Sequence, residues 1–90
     1  EENALNIPAR SYGGKVRAGP GMEFTQIASL REGDPVTLLT NTGETMNGYD
    51  WFMILLANGE IGYQWGGLLC SDALHPPGIF GGRNEACPVR

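Results

Sequence analysis

Ninety residues suffice for one domain and leave no room for a second core. With 41% apolar and 18% charged side chains the chain is not globally disordered, and its fourteen glycines and six prolines follow no period, which excludes a collagen-like rod and suits short strands joined by tight turns. The formal charge of −4 argues against nucleic acid as a partner: Arg10, Lys15, Arg17 and Arg31 form no dense run, and phosphate binding needs clustered cations.

The first eleven residues carry little periodicity and read as an N-terminal arm over 1–11. They open on Glu1-Glu2 with no leader in view, consistent with a leader removed from a longer precursor. Lys15-Val16-Arg17 is a short extended piece between Gly13-Gly14 and Gly19-Pro20-Gly21, where glycine permits turns and proline fixes a bend. From Met22 to Leu30 the apolar residues Phe24, Ile27 and Leu30 are spaced by three, too briefly for an independent helix. A loop pinned to the core by Phe24 and Ile27 is expected there.

Arg31-Glu32-Gly33-Asp34 reads as a turn, and Pro35, lacking a donor, begins the strand that follows through Thr40. Asn41 to Gly48 is polar and is expected to be a loop. Tyr49 to Ala57 is the strongest strand, with Trp51, Met53 and Leu55 on one face and Phe52, Ile54 and Leu56 on the other. A strand apolar on both faces is covered twice, or offers one face to a partner. Asn58-Gly59 is a strong hairpin signal, and Ile61, Tyr63 and Trp65 alternate along the returning strand. The run Trp51 to Ala57 is the longest unbroken apolar stretch and is far too short for a membrane span.

Beyond Gly66-Gly67, Leu68-Leu69 returns to the core before Cys70. In the last twenty residues Pro76-Pro77-Gly78 and Gly81-Gly82 forbid a regular element, leaving Leu74, Ile79 and Phe80 as anchors. Cys70 and Cys87 are the only cysteines and His75 the only histidine, which fits neither a CxxC redox pair nor a four-ligand zinc site. Two reduced thiols and one disulfide are both open. The disulfide is the favoured reading, since it would pin a tail unable to order itself and stabilise a small domain by about 3 kcal/mol. It would place the protein outside the reducing cytosol. The pattern therefore predicts an all-β fold of about five short antiparallel strands. Its core is expected to hold Val16, Ile27, Leu30, Val36, Leu38, Phe52, Ile54, Ile61 and Leu69.

Catalytic readings are thin. Cys70 with His75, oriented by Asp72, would be a nucleophile–base pair for a cysteine-dependent hydrolase, but Cys87 offers Cys70 a structural partner. Glu32 and Asp34 flank a turn glycine, while Glu44, Asp50 and Glu60 are scattered, so no opposed carboxylate pair is defined. Neither a metal site nor a cofactor motif is present, and the Gly78 to Gly82 stretch lacks the lysine and strand–helix setting of a phosphate loop. The aromatics carry the better signal. Tyr12, Tyr49, Trp51, Tyr63 and Trp65 sit at strand ends or alternating positions, where exposed rings can stack on sugars or extended peptides.

Lys15-Val16-Arg17-Ala18-Gly19-Pro20-Gly21, the Gly33-Asp34-Pro35-Val36 strand start, Trp51 and Asn58-Gly59-Glu60-Ile61-Gly62-Tyr63 follow one another in an order that resembles the bacterial Src homology 3 domain family over about residues 12–70. The resemblance implies a small SH3-like barrel over 12–70, with residues 71–90 as an added appendage closed by the disulfide. Tyr63 stands where that family usually has tryptophan and Gln64 where a core valine is common, so Trp65 is expected to make up the lost apolar volume. The resemblance further implies a noncatalytic module, periplasmic or extracellular, that recognises peptidoglycan or an envelope component. A protein–protein module that regulates or targets an envelope enzyme, and a structural domain of a larger chain, are the alternatives. Candidate ligand contacts are Tyr12, Arg17, Arg31, Tyr49, Trp51, Tyr63 and Trp65, with Arg17 or Arg31 pairing a carboxylate.

Overall fold

The computed structural model describes residues 5–71, 76–82 and 86–89. Among these lie seven strands, more than the five expected: β1 (Ile7–Ser11), β2 (Gly14–Arg17), β3 (Gln26–Leu30), β4 (Pro35–Met46), β5 (Tyr49–Leu56), β6 (Ile61–Trp65) and β7 (Leu69–Cys70). They form one antiparallel sheet in the order β3-β2-β6-β5-β4-β1-β7, bent into a small barrel of 32 × 27 × 26 Å. A single 3-10 turn, Gly66–Leu68, joins β6 to β7.

The extra strands come from segments read as irregular. The N-terminal arm supplies β1, which lies between β4 and β7 and buries Ile7, Ala9 and Ser11. Gln26–Leu30, expected to be loop, pairs with β2. The polar stretch from Asn41 continues β4 as far as Met46, so that only Asn47 and Gly48 form the turn to β5. Side chains support this polar ribbon: Thr42 Oγ1 donates to the Trp51 carbonyl at 2.7 Å and Thr45 Oγ1 to Asp50 Oδ1 at 2.7 Å.

Inside the barrel Phe52, Leu38, Ile54, Leu69 and Val16 are fully buried, each contributing roughly 1.5–3 kcal/mol through removal from water. Leu30 packs against this cluster from its margin. Gly62 lies under Val16, whose Cγ1 occupies the space where a Cβ would sit. Two expected core residues are outside. Ile27 is 46% exposed because the β2–β3 register shifts there: Val16 pairs with Ala28 and Arg17 with Gln26, leaving Ile27 as the extra residue of a bulge. Ile61 is 53% exposed because it pairs with Leu55, on the face opposite Ile54. Phe24, the other expected anchor, is also exposed.

Gln64 takes the inward position instead, fully buried opposite Phe52. Its amide is satisfied: Ser11 Oγ donates to Oε1 at 2.9 Å, and Nε2 donates to the Gly13 carbonyl at 3.2 Å. The amide thus ties β6 to the β1–β2 connection. Trp65 does not compensate inside the core, because it lies on the outer face.

Cys70 and Cys87 form a disulfide. The segment 76–82 is held to the barrel by backbone bonds from Asp50 N to Gly78 O, from Phe80 N to Gly66 O and from Gly81 N to Leu69 O. Ile79 enters the core at 4% exposure while Phe80, the other described anchor, stays on the surface. Leu74 lies outside the described residues, as do Asp72 and His75 of the nucleophile–base reading. Cys70 itself is spent in the disulfide, so it carries no thiol for that reading.

Candidate functional site

The β5–β6 register decides which aromatics meet. Trp51 pairs directly with Trp65 and Met53 with Tyr63, so all four side chains lie on the outer face of the sheet, away from Phe52 and Ile54. Next along the sheet, β2 alternates with Val16 inward, which turns Lys15 and Arg17 outward beside β6.

These residues enclose a groove of about 380 Å³ lined by Trp51, Trp65, Met22, Met46, Leu68, Lys15 and Arg17. Trp51 is its floor, only 3% exposed yet outside the main core cluster. Trp65 is a half-buried wall whose Nε1 donates to the Met46 carbonyl at 2.7 Å, fixing the indole against the β4–β5 turn. Arg17 is steadied by Nη1 donating to the Phe24 carbonyl at 2.9 Å, so the Gly19–Thr25 loop aims the guanidinium. Among the described residues the charges lining the groove are both positive, on an otherwise apolar surface. Such a site suits a ligand with an apolar body and a carboxylate.

Of the residues singled out from sequence, Arg17, Trp51 and Trp65 line the groove. Tyr49 borders it, its ring edge-to-face with Trp65 at 5.6 Å. Tyr12 is one ring further away, meeting Phe80 at 6.0 Å, and Phe80 meets Tyr49 at 5.8 Å. Tyr63 shares the outer face but stands off the groove, opposite Met53 and Arg17. Arg31 is exposed in the turn before β4, where its backbone N–H donates to Asp34 Oδ2, and it does not line the groove. Lys15, Met22, Met46 and Leu68 were not anticipated. Lys15 had a signal, since it shares a strand face with Arg17, whereas Met22 and Leu68 come from separate connections and Met46 from the end of β4, in a stretch read as loop, and these three have none.

A second hollow, also of about 380 Å³, lies beside the disulfide between β1, β4 and the end of β5, with Pro8, Arg10, Thr37 and Leu55 among its lining. It gathers no aromatic ring, and Arg10 Nη1 is engaged by the Gly33 carbonyl at 3.0 Å. Among the described residues no group of three His, Cys, Asp or Glu is placed to hold a metal ion.

The model of the bacterial SH3 domain family matches residues 13–69, well over half of the chain. The chain belongs to the bacterial SH3 domain family. Such domains are generally noncatalytic binding modules and commonly bind cell wall. In this bacterial SH3 domain the matched span holds all seven groove-lining side chains and ends one residue before Cys70, so both halves of the disulfide and Phe80 are additions to it. The strand β1 also precedes the match. No curated protein and no solved structure matches the chain. Among the described residues no helix is long and apolar enough to cross a membrane.

Proposed function

We propose that this bacterial SH3 domain is a noncatalytic module of the periplasm or cell exterior that recognises peptidoglycan, taking a wall peptide in the Trp51–Trp65 groove. One observation carries the reading: an apolar, aromatic-walled groove whose described charges are Lys15 and Arg17. Wall peptides combine methyl-bearing side chains with free carboxylates. The first suit Trp51, Met22 and Leu68, and the second suit a guanidinium already aimed by the Phe24 carbonyl. The disulfide supports a location outside the reducing cytosol. Affinity is expected to be modest, because a shallow groove removes little area from water while ordering its ligand, so several copies or a tethered enzyme would raise occupancy.

Heteronuclear NMR titration with soluble muropeptides tests this directly. Shifts should concentrate on Lys15, Arg17, Trp51 and the Trp65 indole, and Arg17→Ala should weaken binding by about tenfold. A flat titration at millimolar ligand, with an envelope protein bound through the same groove, would transfer the site to the protein–protein reading.

A further inference from the structure

Beside the groove, four aromatic rings form a row drawn from four parts of the chain. Tyr12 follows β1, Phe80 belongs to the C-terminal segment, Tyr49 opens β5 and Trp65 closes β6. Successive centroids are 6.0, 5.8 and 5.6 Å apart, and each ring is turned 70–81° from the last. Phe80 stands mid-row and is 55% exposed.

That exposure is built in. Ile79 just before it is buried at 4%, while Phe80 N and Gly81 N are bonded to the carbonyls of Gly66 and Leu69 at 3.0 and 3.1 Å. Gly81 lets the backbone pass against Tyr12, whose hydroxyl occupies the space a Cβ would need. With its neighbours so fixed, the Phe80 ring is held outward between two tyrosines. Large apolar side chains left in water in a contiguous patch mark binding surfaces.

We propose that Tyr12, Phe80 and Tyr49 form a saccharide-binding strip that joins the peptide groove at Trp65, so that a glycan strand lies on the strip while its attached peptide enters the groove. The proposal rests on the wall-binding reading and adds the sugar half of the ligand. Charge separates the two surfaces. The groove presents two cations, whereas the row consists of four uncharged rings, two of them with hydroxyls. A pyranose matches the row, because its C–H face packs on an aromatic face and its hydroxyls find polar groups at the margin. Tyr49, half-buried within the row, brings such a group of its own in its hydroxyl. A ligand made of neutral rings carrying an acidic peptide branch is complementary to both surfaces at once.

The test is NMR titration of the intact, disulfide-bonded domain with two separate probes, tetra-N-acetylchitotetraose and a stem tetrapeptide with a free C-terminal carboxylate. The oligosaccharide should shift Tyr12, Tyr49, Phe80 and the Trp65 indole, and the peptide should shift Lys15, Arg17 and Trp51. Phe80→Ala alters an exposed ring and should lower oligosaccharide affinity by about fivefold while leaving peptide affinity unchanged. Peptide shifts with none from the oligosaccharide, or an oligosaccharide affinity indifferent to Phe80→Ala, would overturn the strip and leave the groove reading in place. Oligosaccharide shifts that Phe80→Ala removes, with no peptide shifts, would support the strip and fault the groove.

Discussion

Asn47-Gly48 and Asn58-Gly59 are the same dipeptide at the tips of two successive hairpins, and they build different turns. At the first, Met46 pairs with Tyr49 and both turn residues have positive φ, 50° and 90°, the two-residue type I′ form that suits strand twist. At the second, Leu56 N bonds Glu60 O and Gly59 N bonds Leu56 O, with only Gly59 at positive φ, 92°. That is a three-residue loop, Ala57-Asn58-Gly59, ending in a glycine bulge. One residue in the loop inverts every side chain beyond it. Closed as two residues on Ala57 and Glu60, the second turn would send Ile61, Tyr63 and Trp65 inward and strip the groove of its wall. The packing already in place selects the longer loop, because Val16 fills the space above Gly62.

The sharpest way to break this account is to exchange the two isoleucines it separates. Ile54→Ala should cost about 2–5 kcal/mol in urea unfolding, as a fully buried residue losing its volume. Ile61→Ala, at a position 53% exposed on the outer face, should cost under about 1 kcal/mol. Similar losses at both sites would mean the register of β6 is wrong.

Gln64 tests the same parity from the polar side. Gln64→Val supplies the apolar residue that the family resemblance leads one to expect, yet it leaves Ser11 Oγ and the Gly13 carbonyl without their buried partner. A loss of roughly 1–3 kcal/mol should follow despite the gain in hydrophobicity. A stabilised variant would place the Gln64 amide in solvent and Trp65 inside.

These details mark how far the sequence could be read. The turn at 31–34, the inward faces of β2, β4 and β5, and the cystine all follow from local chemistry: glycine and proline placement, alternation, and the absence of other thiols. Ile61 was not decidable locally, because the Asn58-Gly59 signal is the same for either loop length and only the packing of Val16 on Gly62 separates them. Ile27 was hidden for a similar reason, since a bulge interrupts alternation without altering composition. Asn41 to Met46 carries no hydrophobic period because both faces of that ribbon lie outside the core. The groove shows the same division. Arg17, Trp51 and Trp65 were visible as alternating residues on strands, but Met22 and Leu68 reach it from two connections and Met46 from the last position of β4, three places that only the tertiary fold brings together.

The turn glycines should respond less strongly than the core. Gly48→Val and Gly59→Val place a branched side chain at φ near 90°, which should cost about 1–2 kcal/mol each, read as a lower urea midpoint at unchanged slope. The two variants should differ in reach. Gly48→Val disturbs the turn that carries the Met46 carbonyl and should shift the Trp65 indole resonance, since Nε1 donates to that carbonyl. Gly59→Val lies at the far end of β6 and should leave the indole in place.

The smallest effect is expected from deletion of Ala57, and it bears most directly on the comparison. Removing this residue turns the three-residue loop into Asn58-Gly59 alone, closed by the same Leu56 and Glu60 that already face each other across the turn. Because the closing pair is retained, Trp51 should still oppose Trp65 and Ile54 still oppose Gly62. The second hairpin would then copy the first, with Asn58 moving to positive φ, a conformation asparagine tolerates well. Stability should change by less than about 1 kcal/mol, and cross-strand contacts between the α-protons of β5 and β6 should keep their register. An altered register, or loss of the Trp65 bond to the Met46 carbonyl, would show that the extra loop residue sets the faces of β6. An unchanged register would show that the core does, with the turn conforming to it.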